Sequence, residues 1–153
     1  DVFAQRDMPY VGSCGALDMV NFGPYDTVPE KFKGRILYRH NPNITLMRTT
    51  ADECKLIGEF IGHKLNAMQG PVRFLVPDKG FSAIDQPGHP FHDPQADQAL
   101  ITALQNTFKP SAKHKLIRLP LHVNDEAFAQ ALVNAWQEIA VQPSVSKTLD
   151  IQR

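Results

Sequence analysis

The chain has 153 residues and a mass of 17.1 kDa, the size of one compact domain that buries roughly 70% of its unfolded surface. With 42% hydrophobic and 21% charged residues, it falls among soluble globular proteins, which excludes collagen-like repeats and intrinsic disorder. The 16 lysines and arginines balance 16 acidic residues, so the formal net charge is zero. We therefore expect no nucleic-acid partner and no attraction to an anionic membrane.

The apolar runs and the cysteines indicate the cellular compartment of the protein. No run of consecutive apolar residues exceeds three, whereas a membrane-spanning helix needs about 20 and a signal peptide about 7 to 15. The two cysteines, Cys14 and Cys54, are too few for a disulfide framework. We expect a cytoplasmic protein with free thiols.

Proline content and the first residues bear on domain organisation. Proline makes up 12 of the 153 residues, about 8% against a usual ~5%, and the sequence begins Asp1-Val2-Phe3 without an initiator methionine. We expect a loop-rich domain cut from a longer protein.

Five short runs rich in β-branched and apolar residues predict strands. In chain order they cover residues 10–11, 36–39, 44–47, 72–76 and 115–119. The prolines fall between these runs or at their ends, where a missing backbone donor is tolerated.

Three amphipathic helices are predicted between and after the later strands. The first begins at a capping box, in which Thr50 and Glu53 satisfy backbone amides reciprocally, and the second begins with Asp93 as N-cap and Pro94 in the first turn. The third follows residues 124–126. The faces predicted to be buried are Ile57, Phe60, Ile61, Leu65 and Met68; then Ala96, Ala99, Leu100, Ala103, Leu104 and Phe108; then Phe128, Leu132, Ala135, Trp136 and Ile139.

From residue 44 onward the predicted elements alternate strand, helix, strand, helix, strand, helix. This order favours crossover connections and a parallel sheet with helices on its faces. We therefore predict an α/β fold, a Rossmann-like three-layer sandwich with a mainly parallel sheet, over residues 1–141. A polar tail is expected at 142–153.

Ligands of open parallel sheets bind beside the carboxyl ends of the strands. This rule selects segments 11–16, 47–50, 78–92 and 121–124 as candidates for a site. The segment 39–43, which contains His40, could line the same site, or it could form a plain turn between strands.

Arg48, Thr49 and Thr50 combine a guanidinium and two hydroxyls beside a helix N-terminus, a combination suited to a phosphate or carboxylate. The alternative is that Thr50 only caps the helix and Arg48 pairs with an acidic neighbour. The sequence leaves both open.

The connection 78–92 spans about 15 residues, longer than the 2 to 6 that are typical, and long connections are often functional. It contributes Ser82, Asp85 and His92 to the candidate site. The alternative is a surface flap covering apolar side chains. His89 and His92 have a spacing seen in metal sites, but no further cluster supports them, and we predict no metal.

Cys14 lies between Ser13 and Gly15 in a turn of small residues after the first strand. A thiolate stabilised there could act as a nucleophile. A small buried cysteine beside a close-packed turn explains the position equally well.

Five co-linear motifs resemble one known family. They are residues 15–23, 39–42, 45–50, 80–85 and 90–97. Over about residues 7 to 140 the chain resembles the C-terminal part of the Tm-one-like ATP-binding family. This uncharacterised family includes bacterial and fungal proteins and the plant tobamovirus-resistance protein.

The resemblance implies a two-part protein of roughly 400 residues, with both halves α/β, and it implies ATP as a cofactor without assigning residues to it. It also implies that the N-terminal remainder of the same protein, or a second copy in a homo-oligomer, covers part of this domain.

Our leading hypothesis is a small-molecule binding domain for a nucleotide or other anionic ligand. Arg48, Thr49 and Thr50 would hold the anion, and the crevice would be lined by Ser13, Gly15, Ser82, Asp85 and His92. The alternatives are an enzyme, with Asp85 or His92 as acid-base group and Cys14 as nucleophile, and a protein-interaction scaffold.

Overall fold

A three-stranded parallel sheet forms the centre of the protein. The computed structural model describes residues 2–140, so the expected polar tail at 142–153 lies outside the described residues. Strands β1 (Tyr10–Ser13), β5 (Val72–Pro77) and β6 (His114–Leu119) pair in the order β1-β5-β6. All six residues of central β5 are buried, as expected for a strand covered on both faces.

Helices cover both faces of this sheet. Helices α2 (Ala51–Asn66) and α3 (Pro94–Thr107) pack on one face, where Phe74 of β5 joins Leu65 and Leu100 in one core cluster. Helix α4 (Glu126–Ala140) packs on the other, where Leu75 meets Phe128. The three-layer α/β sandwich predicted from the sequence is confirmed. A short helix α1 (Val2–Gln5) precedes the sheet.

The helix starts follow the local signals. Thr50 and Glu53 form the predicted capping box, with Glu53 N–H donating to Thr50 Oγ1 at 3.2 Å and Thr50 N–H donating to Glu53 Oε2 at 2.8 Å. Asp93 caps α3 by accepting from the N–H of Ala96 at 3.0 Å, with Pro94 in the first turn. Local hydrogen bonding fixes both positions.

Two aromatic residues predicted to be buried are exposed instead. Phe60 on α2 is 62% exposed and Trp136 on α4 is 48% exposed. On α2 the buried line is Cys54, Gly58, Gly62 and Leu65, because glycines let α3 approach the backbone closely. The aromatic ring of Phe60 is thereby turned to the opposite side of the helix.

A second, antiparallel sheet corrects the predicted topology. Strand β4 (Ile44–Arg48) was expected in the parallel sheet, but it lies between β2 (Met19–Phe22) and β3 (Leu37–Asn41). The tight turn at Pro42 and Asn43 returns the chain beside β3, and Asn43 N–H donates to Asn41 Oδ1 at 2.9 Å. Strand β2 was not predicted. We call β2, β3 and β4 the small sheet.

Candidate functional site

The loops that follow the three parallel strands meet at one edge of the sheet. Ala16 N–H, after β1, donates to Phe81 O at 2.8 Å, and Val123 N–H, after β6, donates to Gly80 O at 3.2 Å. The loop after β5 is therefore bound to the loops on both sides of it. This is the edge that the strand-end rule selected from the sequence.

The small sheet faces these loops and closes a crevice with a volume of about 560 Å³, within the usual range of ligand sites. The loops contribute Gly15, Ala16, Phe81, Ser82, Ala83, Ile84, Val123 and Asn124, and the small sheet contributes Met19, Asn21, His40, Ile44 and Leu46. We refer to this space as the crevice. None of these lining residues is a lysine or arginine, so its polar groups are hydroxyl, amide, imidazole and backbone.

Ser82 is the most constrained polar side chain of the crevice. Its hydroxyl donates to Asp18 Oδ2 at 2.6 Å and accepts from Ile84 N–H at 3.3 Å. Asp18 is fully buried, and this burial raises the pKa of its carboxyl group. Because its hydrogen is committed to Asp18, Ser82 offers a ligand an acceptor lone pair rather than a donor.

His122 holds two of the crevice loops together. Its Nδ1 accepts from the N–H of Asn124 at 3.2 Å, so Nε2 carries the hydrogen and donates to Ser82 O at 2.9 Å. The imidazole ring therefore joins the loop after β6 to the loop after β5. Sequence reasoning selected the segment 121–124 but not this role.

Gly80 and Ala16, both in these loops, have a positive φ. Gly80 has a φ of +121°, and a Cβ at this position would lie 1.8 Å from the carbonyl oxygen of Asp85. Ala16 has a φ of 58°, a left-handed conformation that is uncommon for residues other than glycine. Such conformations persist only where the surrounding structure holds them in place.

Arg48 does not line the crevice, although the sequence made it the leading anion ligand. It is 2% exposed, and its guanidinium donates to Asp97 Oδ1 at 2.6 Å, Phe91 O at 2.8 Å and Asp93 O at 3.3 Å. Asp85 Oδ1 lies 3.7 Å from Arg48 Nη2. The pairing of Arg48 with an acidic neighbour, one of the two alternatives left open, is present in the structure, and anion binding by Arg48 stays a prediction.

Thr49 and Thr50 also have internal partners. The Thr49 hydroxyl donates to Leu17 O at 3.0 Å and accepts from Arg48 Nη1 at 3.1 Å. Thr50 caps α2 as described. These contacts anchor the end of β4 to the loop before β2 and to helix α2.

A buried acidic cluster surrounds Arg48, and the sequence identified it only in part. Asp85 is fully buried and accepts from Phe81 N–H at 2.8 Å, which shapes the loop beside the crevice without lining it. Asp97 was not predicted to belong to this cluster. Its position as an acidic residue on the apolar face of α3 was the signal that could have indicated it. Burial raises the pKa of Asp97 to about 7, despite its hydrogen bond to Arg48.

The remaining candidates lie outside the crevice. Cys14 is fully buried, and burial raises the pKa of its thiol to about 12, which opposes a role as nucleophile. The hydroxyl oxygen of Ser13 is buried and has no hydrogen-bond partner among residues 2–140. His92 is exposed and lines a separate hollow of about 320 Å³ with Lys79 and Asp97.

Two features are absent from residues 2–140. No group of three or more histidine, cysteine, aspartate or glutamate side chains in this part of the chain could hold a metal ion. None of its helices combines the length and apolar character needed to cross a membrane.

The fold and crevice define a Rossmann-like α/β domain with a ligand-sized space at the carboxyl end of its sheet. The chain belongs to the uncharacterised protein family UPF0261, whose C-terminal domain matches residues 1–140. The family resemblance seen in the sequence motifs is thereby confirmed.

Relatives occur in bacteria and in a plant. A UPF0261 protein of Rhizobium meliloti (strain 1021) is 58% identical over 137 residues, 90% of this chain and 34% of that protein. The tomato (Solanum lycopersicum) ToMV resistance protein Tm-1(GCR237) is 42% identical over 160 residues, 99% of this chain and 21% of that protein. The tomato ToMV susceptible protein tm-1(GCR26) is 41% identical over 140 residues, 92% of this chain and 19% of that protein. The chain thus spans about a third of the bacterial relative and about a fifth of the tomato proteins.

Proposed function

We propose that the chain is a small-molecule binding domain whose ligand occupies the crevice. The observation that carries this proposal is the convergence of all three loops after the parallel strands on one space of about 560 Å³. Hydrogen bonds between the loops support its shape, since Ser82 donates to Asp18 after β1 and His122 after β6 donates to the carbonyl oxygen of Ser82. A preformed site reduces the ordering cost of binding.

The lining of the crevice suggests which part of a ligand it takes. Met19, Leu46 and Phe81 offer apolar contacts, while Ser82 and Asn124 offer hydrogen bonds. No lysine or arginine side chain lines the space, so the part that enters is uncharged and flat or apolar. A nucleotide fits this description if its base enters the crevice and its phosphates stay at the mouth. We keep ATP, named by the family resemblance, as the first ligand to test.

Calorimetric titration with ATP, adenosine and inorganic phosphate tests this assignment. We expect ATP and adenosine to bind and phosphate not to bind. The variant Ala83→Trp fills the crevice from an exposed lining position and is expected to weaken adenosine binding at least about tenfold, or ~1.4 kcal/mol. Ala129→Trp, at an exposed position on α4, is the matched control. Equal affinity of the two variants would exclude the crevice as the site.

An enzyme acting on the same ligand is the second candidate, and the pair of Ser82 and Asp18 favours it. A buried carboxyl group of raised pKa, hydrogen-bonded to a hydroxyl at a binding space, is a common acid-base arrangement. Asp18→Asn keeps the shape and removes the base. If the protein turns over a bound ligand, this variant retains binding and loses turnover; a binding domain shows no turnover in either form.

A further inference from the structure

A hollow beside the first turns of α3 is separate from the crevice. It has a volume of about 320 Å³, at the lower end of the range for small-molecule sites. The chain that leaves β5 forms one side of it, and the start of α3 forms another. None of the residues that line this space also lines the crevice. We call it the α3 hollow.

Asp97 is the buried acidic residue of the α3 hollow. It is 8% exposed, and its Oδ1 accepts from Arg48 Nη2 at 2.6 Å. Within residues 2–140 no second hydrogen bond reaches this carboxyl group, so Oδ2 is left without a donor. Buried polar atoms are normally hydrogen-bonded. Oδ2 is therefore an acceptor that a ligand in the α3 hollow can satisfy.

Two basic side chains line the same space. Lys79 comes two residues after β5, and His92 immediately precedes the N-cap of α3. Neither the Lys79 ammonium nor the His92 ring has a hydrogen-bond or ion-pair partner in the part of the chain that the structure describes. Their backbone is nevertheless fixed, since Lys79 N–H donates to Leu121 O at 3.1 Å and His92 N–H donates to His89 O at 3.2 Å.

The mixture of charges in the α3 hollow disfavours a simple anion and a simple cation. An inorganic anion beside Lys79 and His92 would also face the carboxylate of Asp97, and a plain cation would face the Lys79 ammonium. Asp78 does not change this balance, because its carboxylate already accepts from Arg118 Nε at 3.0 Å. A ligand that suits both parts carries a carboxylate and, next to it, a hydrogen-bond donor.

We propose that the α3 hollow binds a small carboxylic acid with an amino or hydroxyl group beside its carboxylate. Lys79 and His92 donate to the carboxylate, and Asp97 Oδ2 accepts from the amino or hydroxyl group. The rest of the ligand packs on Pro87 and Ile101, which supply apolar surface. α-Amino acids and α-hydroxy acids share this chemistry. The proposal is independent of the function proposed for the crevice.

Three probes that differ in one substituent test this assignment. L-Leucine carries an amino group beside its carboxylate, L-leucic acid carries a hydroxyl group there, and isocaproate carries neither. Their binding to the full 153-residue chain is measured by ligand-detected NMR titration at pH 8, above the Asp97 pKa of about 7. We expect leucine, leucic acid or both to bind with dissociation constants on the order of 1 mM, within the affinity limits of ligands of about nine non-hydrogen atoms. Isocaproate is expected to bind at least about tenfold more weakly, because it cannot donate to Asp97.

Variants locate the bound probe. Lys79→Gln removes a cation at an exposed position and is expected to weaken binding about tenfold. Lys109→Gln is the matched control, because Lys109 is an exposed lysine beyond the opposite end of α3, and we expect it to leave the affinity unchanged. Asp97→Asn removes the acceptor and is expected to weaken binding by a similar factor. Ala83→Trp fills the crevice and is expected to leave the affinity of the α3 hollow unchanged. Circular dichroism verifies that each variant is folded.

Three outcomes would overturn the proposal. The first is a lack of saturable binding of both leucine and leucic acid up to about ten times the expected dissociation constant. The second is isocaproate that binds as tightly as the other two probes. The third is a loss of affinity in Ala83→Trp as large as that in Lys79→Gln, which would assign the probe to the crevice. Binding of leucine alone identifies an α-amino acid as the ligand class, and binding of leucic acid alone identifies an α-hydroxy acid.

Discussion

Replacing Arg48 by methionine separates a structural role of this residue from a ligand-binding role. Methionine fills a similar volume without the charge or the donors. In the native protein the guanidinium joins α3 through Asp97, the long connection through Phe91 and the loop before β2 through Asp18, whose carbonyl oxygen lies 3.4 Å from Nη1. The variant leaves these acceptors buried without their donor.

The expected loss of stability follows from burial. Removing one partner of a buried ion pair costs about 3–5 kcal/mol, because the remaining charge has no compensation. The lost bonds to backbone carbonyls belong to the same network and are included in this figure. A domain of this size has a total stability of about 5–15 kcal/mol, so Arg48→Met is expected to fold with a much reduced margin.

The loss also depends on pH. The pKa of Asp97 is already raised to about 7 in the folded protein, and it rises further when Arg48 is absent. At pH 5 Asp97 is protonated in both proteins, whereas at pH 8 only the wild type holds it ionised beside a cation. The difference in unfolding free energy is therefore larger at pH 8 than at pH 5.

Urea unfolding followed by circular dichroism at pH 5 and pH 8 measures both effects. Arg39→Met is the matched control, because Arg39 is an exposed arginine of β3 whose guanidinium carbon lies 3.7 Å from the centre of the Tyr25 ring. We expect this substitution to lower the free energy of unfolding by about 0.5–1 kcal/mol. A loss for Arg48→Met no greater than that of Arg39→Met, and equal at both pH values, would refute the network described here.

Three further predictions concern the core. The folded-state pKa of Asp97, about 7, exceeds its unfolded value of ~3.9, so this group lowers the stability of the protein as pH rises between these two values. In the Asp97→Asn variant, the midpoint of urea unfolding is therefore expected to depend less on pH over that interval. Gly58→Ala places a Cβ 2.4 Å from the carbonyl oxygen of Leu100 and is expected to cost about 1–3 kcal/mol in urea unfolding. Gly34→Ala, with nothing within 4 Å, is its control, and equal stability of the two would contradict the close approach of α2 and α3. At neutral pH, iodoacetamide is expected to label Cys14 on the order of a thousandfold more slowly than a free cysteine, as followed by mass spectrometry. If the native protein is labelled at Cys14 as fast as the protein unfolded in urea, the thiol is accessible and the prediction is wrong.

Sequence signals predicted the features that depend on neighbouring residues. The starts of α2 and α3 are fixed by side chains within three residues of Thr50 and Asp93, and both were predicted correctly. The strand-end rule brought Gly15, Ser82 and Asn124 to one place, because parallel strands share the direction of their carboxyl ends.

Features that depend on distant partners were not predictable in the same way. Arg48 has its acidic partner 49 residues away, so the local pattern could not distinguish an internal pair from an anion site. Periodicity placed Phe60 on the buried face because α2 is apolar on two sides, and the closest contact with α3 is made by glycines. The sequence of β4 resembles that of a strand in the parallel sheet. Its tight turn with β3 nevertheless makes it antiparallel to β3.

The small sheet has a further consequence for the behaviour of the protein in solution. Its three strands lie in the chain between β1 and the helix that leads to β5, and no residue of β2 or β3 is fully buried, whereas β5 is buried throughout. Segments held by few buried contacts open at a lower free energy than the central core. We expect backbone amides of β2 and β3 to exchange with deuterium before those of β5. One wall of the crevice would then detach transiently while the parallel sheet stays folded.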